Sequence, residues 1–355
     1  MDKESKQFLK KLLQQCGPSG FEEVTQKVWI ERTKKYADNV TKDVLGNAIA
    51  VLNPSADCKI MLAGHCDEIG FMITHISKEG FLYIEAVGGI DTGVLPGTQV
   101  KIQTKAGLID GVIGKKAIHL MDSGERRKVL PIKELWVDMG AKNRKDAEKV
   151  VAIGDPISFA PDFLELKNDV FCSKSCDDKV GVFVISEVLK ILSKKKSKLK
   201  VGVYATSTVQ EEVGLRGATT GAFGINPKVG IAVDVGFTSD IPSVDKRVVG
   251  EVALGKGCIL HPGPATNRIL NKLMKQVAKS KKIPYQIQSS SRPNGTDTAV
   301  IQLSRSGVAT ALVSIPNRYM HTMVETCSFK DLEYATKLIA ETILEITPET
   351  NFIPK

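Results

Sequence analysis

A chain of 355 residues, 42% hydrophobic and 25% charged, has the composition of a soluble globular protein with one large domain or two unequal ones. Its formal charge of +9 comes without interleaved aromatics, finger spacing or a recognition motif, which argues against a nucleic-acid partner. The opening residues, MDKESKQFLKKLLQQCG, lack the apolar stretch of an export signal, and no run is long enough to span a bilayer, so a cytoplasmic protein without a membrane partner is expected.

The first segment carries apolar residues at helical spacing and is broken at Gly17-Pro18-Ser19-Gly20; a second helix is expected over 22–36. Short β-patterns follow at 47–52 and 59–63, and the second runs straight into GHCDEIG. Between about 71 and 163 the texture changes. FMITHIS, FLYIEA, TQVKIQT, LIDGVIG and ISFAP are short β-like runs separated by glycines and prolines, as in a small barrel or sandwich. Beyond this stretch helices over 180–192, 215–223, 267–280, 297–305 and 329–346 alternate with strands over 200–207, 229–235, near 285 and over 309–314. That rhythm predicts an α/β fold, a largely parallel sheet with helices on both faces. One domain built from 1–70 and 164–355 is therefore expected, interrupted by a β-rich insert over 71–163. Lys194, Lys195, Lys196, Lys198 and Lys200 follow the 180–192 helix, where they complement its C-terminal dipole.

Seven cysteines (Cys16, Cys58, Cys66, Cys172, Cys176, Cys258 and Cys327) form an odd set without a Cys-x-x-Cys pair, and read as reduced thiols. Cys172 and Cys176 have a metal-like spacing, but no second close pair completes a structural zinc site.

In α/β sheets functional groups gather where strands run out into loops. His65 and Asp67 of GHCDEIG, at positions i and i+2, fall on one face of a strand, so a metal-binding histidine and an orienting carboxylate fit there. In SCDDKVG, Asp177 and Asp178 precede a helix; an aspartate here serves equally as a bridge between two cations or as an N-cap. Glu211 and Glu212 of TVQEEVG follow a β-forming run and should point in nearly opposite directions, leaving one for a metal and one for a proton. Asp234 ends the apolar run VGIAVDVG, where an unpaired carboxylate is costly to bury. His321 of YMHT follows the strand over 309–314. Of the five histidines only His65 and His321 occupy such settings; His75 and His119 fall in the β-rich insert and His261 in a Pro-Gly loop. Two His, two Asp and two Glu suit a pair of zinc, cobalt or manganese ions and argue against calcium.

The ordered set GHCDEIG, CDDKVG, TVQEEVGLRGA, AVDVG and YMHT, with weaker matches at GPSGFEE and GTDT (the latter around Asp297), resembles the glutamyl and tetrahedral aminopeptidases, metallopeptidase family 42, whose members are sometimes labelled endoglucanase or cellulase M. The resemblance spans essentially the whole chain. It implies that His65 and Asp234 bind one divalent ion, Glu212 and His321 the other, and that Asp177 bridges them. It further implies Glu211 as the general base, Asp67 as the residue orienting the site, and peptides with a free N-terminus as substrates. The insert would be a dimerisation domain, with dimers assembling into a tetrahedral dodecamer. Where many members read Gly-Gly-Trp, this chain has Gly88-Gly89-Ile90-Asp91, and Asp178 stands where members have asparagine or aspartate.

Related dinuclear carboxypeptidases and N-acyl amino-acid deacylases share the His-x-Asp, Asp-Asp-Lys and Glu-Glu patterns; the β-rich insert favours an aminopeptidase. A glycosidase would need carboxyls about 5 to 9 Å apart across a sugar, which adjacent Glu211 and Glu212 suit poorly. A non-catalytic assembly protein that retained the fold would be expected to have lost a ligand or the base, and all six positions are intact. The pocket for the first residue is expected from loops over 236–239 and 261–266, and net charge does not set its preference.

Overall fold

The structure, a computed structural model, describes residues 1–293 and 295–354. Its centre is an eight-stranded sheet in the order Asn39–Lys42, Ala48–Leu52, Gly202–Thr208, Lys59–His65, Val229–Phe237, Ala309–Asn317, Cys258–Leu260, Tyr285–Ile287. The four strands from Gly202–Thr208 to Ala309–Asn317 pair in parallel, so their C-terminal ends open on one edge. Antiparallel strands flank them on both sides, which makes the sheet mixed and mostly parallel. The parallel strands are buried almost throughout, as a sheet covered on both faces requires.

Helix Cys176–Ser193 carries buried side chains along most of its length and lies against the sheet. Helix Lys3–Leu13 starts at Asp2, whose side chain caps the Ser5 amide at 2.7 Å, and buries Phe8, Leu9, Leu12 and Leu13 against the same layer. Trp29 on helix Glu23–Thr33 is wholly buried and donates its indole N–H to the Val182 carbonyl at 2.9 Å. The helix expected over 22–36 thus ends early, because Tyr36 and Ala37 hydrogen-bond back to Thr33 and turn the chain toward the edge strand. The helix expected over 297–305 is shortened to Asp297–Gln302, since the chain turns through left-handed backbone at Arg305 (φ 52°).

The insert is a closed six-stranded antiparallel barrel, in the order Gly70–Ile76, Leu82–Val87, Trp136–Asp138, Gly107–Ile113, Gln99–Thr104, Pro156–Phe159. It has its own core, which includes Phe71, Ile84, Val100, Val137 and Ile157. Five of its strands follow the runs visible in the sequence. The sixth, Trp136–Asp138, is too short to show alternation. A three-stranded sheet of Phe163–Glu165, Val170–Ser173 and Glu325–Ser328 completes the strands, and its pairing across the chain carries no local pattern either. No helix among the described residues is long and apolar enough to cross a membrane.

The lysines after helix Cys176–Ser193 are surface groups; Lys195 pairs with Glu341 at 2.6 Å and Lys196 with Asp38 at 2.5 Å. All seven cysteines are free and buried.

Candidate active site

The strand Lys59–His65 delivers His65 to the edge of the sheet, and helix Cys176–Ser193 approaches that strand without a gap. A Cβ on Gly64 would lie 2.8 Å from the Gly181 carbonyl carbon, so only glycine lets the helix come this close. The approach brings the start of the helix beside His65. Asp178 then accepts the Gly181 amide at 3.0 Å through Oδ1 and the His65 amide at 3.2 Å through Oδ2. Asp178 is therefore the helix cap, and its neighbour Asp177, whose backbone is still non-helical, faces the cavity. The two roles open for an aspartate here fall to two adjacent residues. The strand ahead of them, Val170–Ser173, belongs to the small sheet rather than to the central one.

Asp177 divides its oxygens between two histidines: Oδ1 is 3.0 Å from His65 Nε2 and Oδ2 is 3.3 Å from His321 Nε2. Glu212 Oε1 lies 3.5 Å from His321 Nε2, and Glu211 Oε2 lies 3.9 Å from His65 Nε2. The two glutamates do not point in opposite directions, as strand alternation would require; both line one cavity. They lie beyond the strand Gly202–Thr208 in a turn entered through Gln210 (φ 55°), where alternation no longer applies. Asp234 lines the same cavity from within Val229–Phe237, three residues before its end. Two sets of side chains offer ligand atoms within 4.8 Å of one another: His65 with Asp177 and Glu212, and His65 with Asp178 and Asp234. Asp178 is already held by two amides, so Asp177 is the better partner for Asp234 in the second set. Neither set contains Cys172 or Cys176.

Behind these groups stands a layer of fixed acceptors. Asp67, wholly buried, takes the Ser19 hydroxyl at 2.7 Å, the Glu211 amide at 3.1 Å and the Glu212 amide at 3.2 Å. It also lies 3.4 Å from His65 Nδ1. Glu325 takes the Asp177 amide at 2.9 Å and the His321 amide at 2.7 Å. Glu325 carries no signal along the chain, because TMVETCS resembles any β-strand edge. Asp297, within the weak GTDT match, accepts the Thr208 hydroxyl at 2.7 Å. Ser19 and Glu22 of GPSGFEE pack on the loop carrying the paired glutamates, Glu22 accepting the Gln210 amide at 3.1 Å. The insert reaches in as well, since the Gly89 carbonyl lies 2.7 Å from His321 Nδ1.

So many carboxylates cannot stay charged together without a cation. Burial, then the charges of Asp177 and its neighbours, raises Glu212 and Asp234 well above the usual carboxylate range. Burial likewise raises Glu211, with Asp234, Asp297 and Asp177 adding to the effect, and pushes Asp297 up to about 6. His321 is raised to about 9, first by its contact with Asp177. Glu212 Oε1 and Asp297 Oδ1 are buried without a hydrogen-bond partner. Orphaned oxygens, mixed imidazole and carboxylate donors, and one aspartate shared between two histidines fit divalent metal ions.

The fold and this donor set define a class, metallopeptidases built on a mixed, mostly parallel α/β sheet. A family model of the M42 glutamyl aminopeptidases matches residues 46–338, and the chain belongs to that family. It is 36% identical over 351 residues to a lysyl aminopeptidase of Pyrococcus furiosus, an alignment covering 98% of this chain and 99% of the relative. A TET aminopeptidase from a marine-sediment thaumarchaeon superposes with a TM-score of 0.93 at 34% identity, covering 98% of this chain and 97% of that one. The Pyrococcus horikoshii TET1 peptidase, which can assemble into a tetrahedron or a large octahedral shell, matches with a TM-score of 0.86 at 32% identity, covering 96% and 100%.

Proposed function

We propose that the chain hydrolyses the N-terminal residue from peptides with the help of two divalent ions, zinc or cobalt foremost and manganese as a third candidate. The division of Asp177 between His65 and His321 carries this reading. His65 and Asp234 would hold one ion, Glu212 and His321 the other, and Asp177 both. When bound, the ions supply Lewis acidity to the scissile carbonyl and lower the pKa of water between them.

The remaining work falls to the chain. Glu211 faces the same cavity but accepts no share of Asp177, which leaves its carboxylate free to move a proton. Burial raises its proton affinity, Asp234, Asp297 and Asp177 add to that rise, and His65 opposes it. With the ions bound beside it, Glu211 would take a proton from water and return it to the departing amine. Asp67 fixes the geometry by holding the amides of both Glu211 and Glu212.

The barrel insert is read as a dimerisation domain, the chain as dividing into 1–70 with 164–355 and 71–163, and the protein as a cytoplasmic homo-oligomer, with the tetrahedral dodecamer as the expected assembly. Hydrolysis of aminoacyl-p-nitroanilides by metal-stripped protein, before and after adding zinc, cobalt or manganese, tests the reaction. Metal-dependent cleavage confined to free-amine substrates supports it. Cleavage of N-acetylated substrates instead would move the protein to the deacylases.

A further inference from the structure

The cavity that holds the candidate centre continues well past it. It has a volume of about 540 Å³, with Asp177, Glu211, Glu212, Asp234 and His321 at the centre. The rest of its wall comes from the end of Val229–Phe237, from Leu312 and Ser314 within Ala309–Asn317, from Met320, from the segment around Val248, and from the loops at His261 and at 288–293 and 295–296. A side chain attached to a peptide positioned at the centre has this wall as its surroundings.

That wall is uncharged. Apart from the residues of the centre, no Lys, Arg, Asp or Glu is among the described residues that line the cavity. Two arginines on the flanking segments are engaged elsewhere. Arg247 is paired with Asp245 at 2.7 Å, and Arg318 with Asp240 at 2.7 Å. Arg292 lies in the 288–293 loop, but its side chain does not line the cavity. His261, the one titratable group of the wall, holds the Ser314 hydroxyl at 2.9 Å, and burial lowers it to about 4, so it is neutral near pH 7.

Much of the wall is apolar. Leu312 forms a buried part, while Phe237 and Val248 are 60% and 82% exposed. Two large apolar side chains open at a cavity rim gain by being covered. A lysine or glutamate entering the same space would give up water without meeting an opposite charge. The carboxylates of the centre offer lysine no partner, being committed to cations on the reading above.

We infer that this wall receives the side chain of the substrate's first residue and selects neutral apolar residues of the leucine, methionine and phenylalanine kind over both lysine and glutamate. The inference rests on the aminopeptidase reading. It separates this chain from the lysyl aminopeptidase to which it is 36% identical and from the glutamyl activity in its family's description.

Initial-rate measurements on Leu-, Met-, Phe-, Lys- and Glu-p-nitroanilide with metal-reconstituted full-length protein test it. Leucine should exceed lysine and glutamate in kcat/KM by about tenfold or more, the scale set by burying one aliphatic side chain. Equal or higher values for lysine or glutamate overturn the inference and leave the aminopeptidase reading intact. Calorimetric binding of free leucine, lysine and glutamate should follow the same order. That order still decides the inference if no anilide is cleaved, an outcome that overturns the aminopeptidase reading itself. Val248→Asp, at a position too exposed to endanger folding, should raise the lysine-to-leucine ratio by about tenfold. An unchanged ratio would show that this wall does not read the side chain.

Discussion

His321 Nδ1 lies 2.7 Å from the carbonyl oxygen of Gly89, so a backbone atom of the inserted barrel segment holds a histidine of the α/β domain. With Nδ1–H donating to that carbonyl, the ring is fixed so that Nε2 is aimed at Asp177 and Glu212. The insert is thereby part of the site's construction and more than an appendage to it.

Gly88 makes this contact available. Its φ of +82° favours glycine, and a Cβ there would lie 2.8 Å from Ile69 Cγ2 and 3.3 Å from Glu212 Cβ. Gly88→Ala should therefore shift the loop and loosen both His321 and Glu212. Zinc titration should show affinity weakened by about 10- to 100-fold, the usual effect of disturbing a ligand's support, with little change in far-ultraviolet circular dichroism.

Glu211→Gln keeps the shape of the side chain and removes its basicity. Turnover should fall by about 10²- to 10⁴-fold while metal content stays close to that of the parent protein, measured by elemental analysis alongside initial rates. Near-normal turnover with metal retained would reject Glu211 as the base.

Glu325 supports both halves of the site through the amides of Asp177 and His321. Glu325→Ala should orphan two N–H groups and cost about 1–3 kcal/mol for each one left buried, read from denaturant unfolding. Glu325→Gln keeps one carbonyl acceptor and should fall between. Equal stability of all three proteins would show that the contacts contribute nothing.

Loading metal should release protons. In the metal-free protein Glu211, Glu212 and Asp234 are raised above the ordinary carboxylate range, mainly by burial, so they retain protons that cations must displace. Apparent metal affinity should therefore rise with pH through neutrality. Calorimetry in buffers of different ionisation enthalpy measures the release, and a buffer-independent heat would contradict it.

Glu68, beside Asp67, makes a buried contact with Lys174 and accepts a hydrogen bond from Lys179 at 2.9 Å. Burial works against its charge, but the two lysines prevail and hold it at about 2, below the ordinary 4.5. A depressed carboxylate stabilises above its unfolded pKa and loses that contribution as pH falls through the folded value. The metal-free protein should thus lose about 3 kcal/mol between pH 4.5 and pH 2, on the scale of 1.36 kcal/mol per unit. Glu68→Gln should flatten this part of the stability profile.

The sequence by itself determined the alternation of helix and strand, the β-rich insert and the histidines and carboxylates gathered at the cavity's centre, because each rests on local chemistry. Periodicity shows which face is buried, and a histidine or carboxylate ending an apolar run is conspicuous beside its neighbours. Only the tertiary structure decided which aspartate caps and which faces the cavity, because that depends on how closely Gly181 approaches Gly64. It likewise decided that Glu211 and Glu212 share a cavity, that Glu325 lies beneath Asp177, and that Gly89 holds His321. Those relationships join residues tens or hundreds of positions apart, and packing alone brings such residues together, with no pattern along the chain to announce it.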